Sequence, residues 1–271
     1  YKKNFNADIE VSFNNGLICY FPAKIRISGD GKDHLNAPPP ITSLDVKLLR
    51  GNINSSTKFK LFLPPTRGND NEIFVSALLN NLKFVAPKTY YVPTTFNGQE
   101  VTFLFQEKIT KELLESNQLR EGPILEGDER FLWRKDSGTD KTYDRFNLAR
   151  LVNREWADKG LSGLRISKDA VSILNKAYLE YLLGMHYYNS HNEWFLNSVV
   201  LGNNNELATK KNQEFQALMA ALTAHHGLRP HNRVFYYDPM YKYFLPIYYD
   251  GNSEILLDQV TTLPNLNKDV I

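Results

Sequence analysis

The sequence predicts an α+β protein, strand-rich in its first part and helix-rich in its second. Two observations carry this. Period-two alternation of apolar and polar residues recurs from residue 8 to 63 and again from 89 to 107, whereas helical spacing dominates from Ile109 onward. The last patterned stretch returns to two short β-rich runs around an Asp-Pro turn. The chain is therefore divided into residues 1–108, strands with one embedded helix, and residues 109–271, helices ending in a hairpin.

The elements follow in order. Asp8 to Phe13 and Ala23 to Ser28 alternate between the turn signals NNG and GDG, and Ser43 to Leu49 and Lys58 to Leu63 continue the meander. Both later strands set lysines opposite their apolar residues. A helix is expected over Asp70 to Leu82, where Ile73, Ala77 and Leu78 recur with Phe74 and Leu82 behind an Asn/Asp cap. Thr89 to Phe96 and Glu100 to Glu107 flank Asn97–Gly98, a strong hairpin signal. KITKELLESN reads as a short amphipathic helix. The charged stretch from Arg120 to Thr142 reads as a loop or insertion, and REGPILEGDER within it is either a solvated loop or an acceptor-side surface. Helical spacing resumes over Phe146 to Lys159, Ser167 to Tyr188 and Glu214 to Ala224, with a break at Gly202 to Asn205. Strands Val234–Tyr237 and Phe244–Tyr249 close the pattern, ending on Asp250–Gly251.

Composition excludes several classes. At 271 residues, and roughly 100–200 residues per domain, the chain makes one large domain or two small ones. Cys19 is the only cysteine, so no disulfide scaffold forms within the chain. With 16 Phe, 15 Tyr and 3 Trp the chain has ample core-forming surface, which excludes disorder. No apolar run approaches the ~18 residues of a membrane span. Against 30 acidic side chains stand 32 basic ones, too small an excess for a dedicated nucleic-acid binder. A signal peptide is either absent or already removed. Only 21 residues follow Asp250, so the second part is either minimal or a portion of a longer chain.

Strands with a lysine-bearing member, a helix, two strands, a connector, helices, a polar loop and a hairpin form the order of a two-lobed protein-kinase-like fold, with a nucleotide in the cleft between lobes. Phosphoryl transfer needs a cation on the phosphates, a carboxylate holding that cation, metal ligands and a base. Lys60, with Lys58 on the same strand face, stands before the first helix, and Glu72 lies in that helix's first turn. The alternative is a pair of solvent-facing charges, the Glu favoured by the helix dipole. Gly29–Asp30–Gly31 is either a phosphate-covering turn or an ordinary hairpin turn. Glu107–Lys108–Ile109, at the strand-to-helix transition, stands where the hinge would lie and backbone groups would contact adenine, or is simply a strand end.

The loop HHGLRPHN, His225 to Asn232, followed by Asp250 in IYYDG, resembles small-molecule kinases of the aminoglycoside-phosphotransferase type, which carry H-G-D-L-x-P-x-N, a hairpin and I-D-F-G. The resemblance implies Asn232 and Asp250 as ligands of Mg²⁺ or Mn²⁺, oxygen donors suited to a hard ion. That family's catalytic Asp falls on Gly227, so a nearby histidine, His225, His226 or His231, is expected to serve as base, with His226 and His231 taken as the catalytic pair. A second resemblance is to the spore-coat protein H (CotH) kinase family. It rests on AKIRISGDGKDH, SLDVKL and APKTYYVPTTFNGQEVTFLFQEKI, where Arg26 and Gly29 match the strand-turn, Asn97–Gly98 the hairpin and Glu107 its terminal acid. It implies an atypical kinase binding ATP and a divalent metal and acting on a protein or glycan hydroxyl. The protein would be secreted or at the cell surface if this likeness holds, and cytoplasmic otherwise. The family's paired lysines fall near Ile41–Thr42, which makes Lys47 a rival to Lys60 for the phosphates. Two other readings stand beside it: a catalytically inactive kinase-like scaffold, supported by Gly227, and a metal-dependent hydrolase or nuclease built on the histidines and Asp250. Serine chemistry has no support, since no G-x-S-x-G occurs.

Overall fold

A computed structural model of the protein describes residues 3–29, 35–36, 41–127, 149–184, 195–229 and 231–255. It is a mixed α+β structure that divides into two compact units, residues 1–77 with 87–119, and residues 78–86 with 120–271. The first unit extends past the expected 108/109 boundary because helix α2 (Lys111–Ser116) belongs to it. Leu113 and Leu114 of α2 are buried, and its Glu112 accepts a hydrogen bond from the Thr57 hydroxyl at 2.8 Å.

The first unit is built on six antiparallel strands: β1 (Phe5–Ser12), β2 (Ile18–Ile27), β5 (Leu44–Leu48), β6 (Lys58–Phe62), β7 (Thr89–Phe96) and β8 (Gln99–Glu107). Their spatial order is β1-β2-β5-β6-β8-β7. Two-residue strands β3 (Leu35–Asn36) and β4 (Ile41–Thr42) pair separately. Strand β2 begins earlier than the alternation predicts. Pro22 hides its start, because proline supplies no ladder N–H; here its carbonyl accepts from Leu49 while β1 pairs alongside. One sheet face buries Ala23, Ile25, Leu44, Val46, Leu48, Phe59 and Phe105. Phe105 stacks between Phe59 and Tyr90, with ring centres 4.8 and 4.6 Å away. Helix α1 (Asp70–Asn81) starts where the Asn/Asp signal places it.

The second unit holds a four-stranded antiparallel sheet, ordered β10-β9-β11-β12, from β9 (Ile124–Gly127), β10 (Ala149–Leu151), β11 (Val234–Tyr237) and β12 (Phe244–Ile247). Strand β9 falls inside the expected loop, and β10 lies where a helix was expected. Both are too short to show a period. The helices are α3 (Arg154–Ala157), α4 (Leu161–Gly184), α5 (Ser198–Gly202) and α6 (Glu206–Ala221). Leu174, Ala177 and Tyr178 of α4 pack on Leu125, Phe235, Tyr237 and Phe244. Among the described residues no helix is long and apolar enough to cross a membrane. Asp30, Gly31, most of the stretch expected as loop up to Thr142, Phe146 and Met185 to Tyr188 lie outside the described residues.

Candidate functional site

Two groups of the expected site residues assemble, one in each unit. In the first, strand register fixes which side chains stand side by side. Arg26, Asp45, Lys60 and Gln106 are successive cross-strand partners on β2, β5, β6 and β8. The neighbouring row is Lys24, Lys47 and Lys58. Strand alternation puts both rows on the face opposite the apolar core. Lys47 is exposed and Lys60 partly buried. Glu72 is no solvent-facing residue: it is 1% exposed and accepts from the Gln106 side-chain amide at 2.7 Å. Lys60 and Glu72 thus share one neighbour, Gln106.

Asp45 is the centre of this face. It is 7% exposed and accepts from Arg26 Nη2 at 2.6 Å and from Lys108 Nζ at 3.1 Å. Burial alone would raise its carboxyl, but the Lys108 and Arg26 cations overcome burial and hold it below the usual carboxylate range. Lys108 is itself pushed down, first by burial and then by Lys60 and Arg26, against the pull of Asp45.

Glu107 points to the opposite face, with Phe105 and Phe59, and is 2% exposed. Burial pushes its carboxyl up, against the lowering effect of Lys88. Its backbone N–H donates to the Lys88 carbonyl at 3.0 Å and that of Lys108 to the Lys58 carbonyl at 3.1 Å. Two of the three N–H groups in the expected adenine-contacting stretch, those of Glu107 and Lys108, therefore have protein partners.

In the second unit a 3₁₀ turn over His225–Leu228 brings three expected residues together. His226 Nδ1 lies 3.0 Å from the Asp250 carbonyl oxygen and 3.7 Å from its carboxylate Oδ1. The Asn232 amide nitrogen lies 3.0 and 3.1 Å from the two ring nitrogens. With Nδ1 donating to the Asp250 carbonyl, Nε2 is left to accept from Asn232. The Asp250 carboxylate raises the His226 pKa, against burial. The His231 ring centre is 5.9 Å from that of His226, nearly edge-on.

Two glycines make this approach possible. A Cβ on Gly227 would stand 2.8 Å from the Tyr249 carbonyl oxygen and 3.2 Å from Gly251 Cα. One on Gly251 would stand 2.8 Å from the Tyr248 hydroxyl and 3.0 Å from Ala224 Cβ. Asp250 between them adopts φ 47°, a left-handed conformation that Asp tolerates better than most residues. The absence of an Asp at position 227 is therefore a packing requirement: the turn lies against the chain following β12.

Among the described residues no three His, Cys, Asp or Glu side chains gather as a metal site. Sequence reasoning passed over Asp45 and Gln106, and the roles of Arg26 and Lys108 as ion partners of Asp45. Only cross-strand register could have found them. No known family model matches the chain, and no curated protein matches it.

Proposed function

We propose that the protein is a two-lobed, atypical kinase-like phosphotransferase of the kind its CotH resemblance implies, using ATP with Mg²⁺ or Mn²⁺ and a protein or glycan hydroxyl as acceptor. The observation that carries this reading is the meeting of Asn232 and Asp250 on the His226 ring. One amide and one carboxylate form a hard-oxygen donor set that fits such an ion. When bound, the ion neutralises phosphate charge. Lys60, or its rival Lys47, supplies the fixed cation for the phosphates, and Glu72 is held in place by Gln106.

In the transfer, the acceptor oxygen attacks the γ-phosphorus, the bond to the bridging oxygen breaks, and ADP departs with the electron pair. The hydroxyl proton passes to a histidine. His226 is the better placed, because its Nε2 can take the proton in exchange for the Asn232 N–H and the nearby Asp250 carboxylate stabilises the imidazolium that results; His231 is the alternative. Calorimetric titration of Mg·ATP tests the reading. Asn232→Ala and Asp250→Ala are each expected to weaken binding at least tenfold with the fold retained, and unchanged affinity in both would end it.

The packing at Gly227 favours a second reading, a kinase-like protein that binds nucleotide without transferring phosphate, since the usual catalytic Asp has no room there. Transfer of radiolabelled γ-phosphate, abolished in Asp250→Ala, would exclude it. No observation favours the hydrolase.

A further inference from the structure

The polar face of the first unit's sheet gathers more positive charge than a nucleotide's phosphate-contacting lysine requires. Lys24 and Arg26 on β2, Lys47 on β5, Lys58 and Lys60 on β6, and Lys108 just beyond β8 stand in adjacent register. Carboxylates on that face include Asp45 at its centre, Glu72 bound by Gln106, Asp8 and Glu10 on the outer strand β1, and Glu100 near the far end of β8. In a chain with a formal charge of only +2 this is a local concentration of cations. Adjacent strands lie about 4.8 Å apart, so three strands carry cations across about 10 Å, the scale of a compact anion.

The array is also pre-ordered. Asp45 fixes the Arg26 guanidinium and the Lys108 ammonium, while these side chains stay 43% and 31% exposed and so within reach of a ligand. Side chains already held in place lose less freedom on binding. Burial is the main cause of the lowered Lys108 pKa, and the neighbouring Lys60 and Arg26 cations add to it against the pull of Asp45.

We propose that this face binds a short phosphate chain by itself, without a divalent metal, through Arg26, Lys47, Lys58, Lys60 and Lys108. The inference rests on the kinase-like reading only for the kind of ligand, and makes metal-free phosphate recognition a property of the sheet. The test is calorimetric titration of the full chain with sodium tripolyphosphate in EDTA, with sodium orthophosphate for comparison. Tripolyphosphate is expected to bind at least tenfold more tightly than orthophosphate, and the Lys47→Glu/Lys58→Glu double variant to lose at least tenfold in affinity. Should the double variant melt below the parent, the single exposed change Lys47→Ala is expected to lose about threefold. The proposal is overturned if no binding occurs in EDTA, if orthophosphate binds equally well, or if the charge changes leave affinity intact. Mg·ATP titration of Asp250→Ala, without chelator, reads the kinase-like proposal separately, so either can fail alone.

Discussion

At Gly227 a missing side chain decides more than most side chains do. Gly227→Asp must push the turn away from the Tyr249 carbonyl, 2.8 Å from where Cβ would sit, and is expected to cost about 1–3 kcal/mol of stability in urea unfolding. An Asp variant as stable as the parent would mean that the contact yields easily. Glu107 and Asp45 give opposite pH dependences. The Glu107 pKa is raised by burial, so its contribution to stability is fully present below its ordinary value of 4.5 and is lost as pH rises through the folded value. Glu107→Gln is therefore expected to raise the urea midpoint near neutral pH, with the gain vanishing in acid. Asp45 is lowered, so its contribution is present above its ordinary value of 3.8 and is lost as pH falls through the folded one. Asp45→Asn strands two partly exposed cations and is expected to cost about 1–3 kcal/mol at pH 7, below the range for a fully buried pair. A neutral-pH midpoint equal to the parent's would show that solvent already screens the cluster.

Helix α6 shows why some elements escape pattern reading. Its inward positions include Asn212 and Gln216 beside Ala208, Phe215 and Met219, so two core-facing sites read as polar and the helix is expected to begin only at Glu214. Both amides are committed inside: Asn212 donates to the Phe244 carbonyl at 2.8 Å, and Gln216 accepts from the fully buried Arg233 at 2.8 Å. Desolvation lowers the Arg233 pKa to about 10. The true start is capped by Asn205, whose side chain accepts from the Ala208 N–H at 2.9 Å. Asn205→Ala is expected to lower stability by about 1 kcal/mol in thermal or urea unfolding; no loss would mean that water replaces the cap. Elements with uninterrupted signals were legible. Strands β7 and β11 have their expected limits, because alternation around Asn97–Gly98 and the aromatic run before Asp238–Pro239 leave no competing period.

Across the whole molecule, protection should follow pairing. Hydrogen exchange is expected to be slowest in β2, β5, β6 and β8, which have neighbours on both sides, and faster at the outer edges of β1 and β7. Uniform exchange across the six strands would contradict the observed order. Local pattern alone specifies the α+β class, the strand-rich and helix-rich parts, helix α1 and both clear hairpins, because these depend on periods and turn residues that act over a few positions. Motif spacing likewise singles out Lys47, Lys60, Glu72, Glu107, His226, His231, Asn232 and Asp250. Long-range packing sets the rest: Glu72 is buried on Gln106, Asp45 gathers Arg26 and Lys108, and Gly227 lies against the chain after β12. Those facts depend on strand register and on contacts between residues far apart in the chain, and local periodicity carries no record of which distant residue a side chain meets.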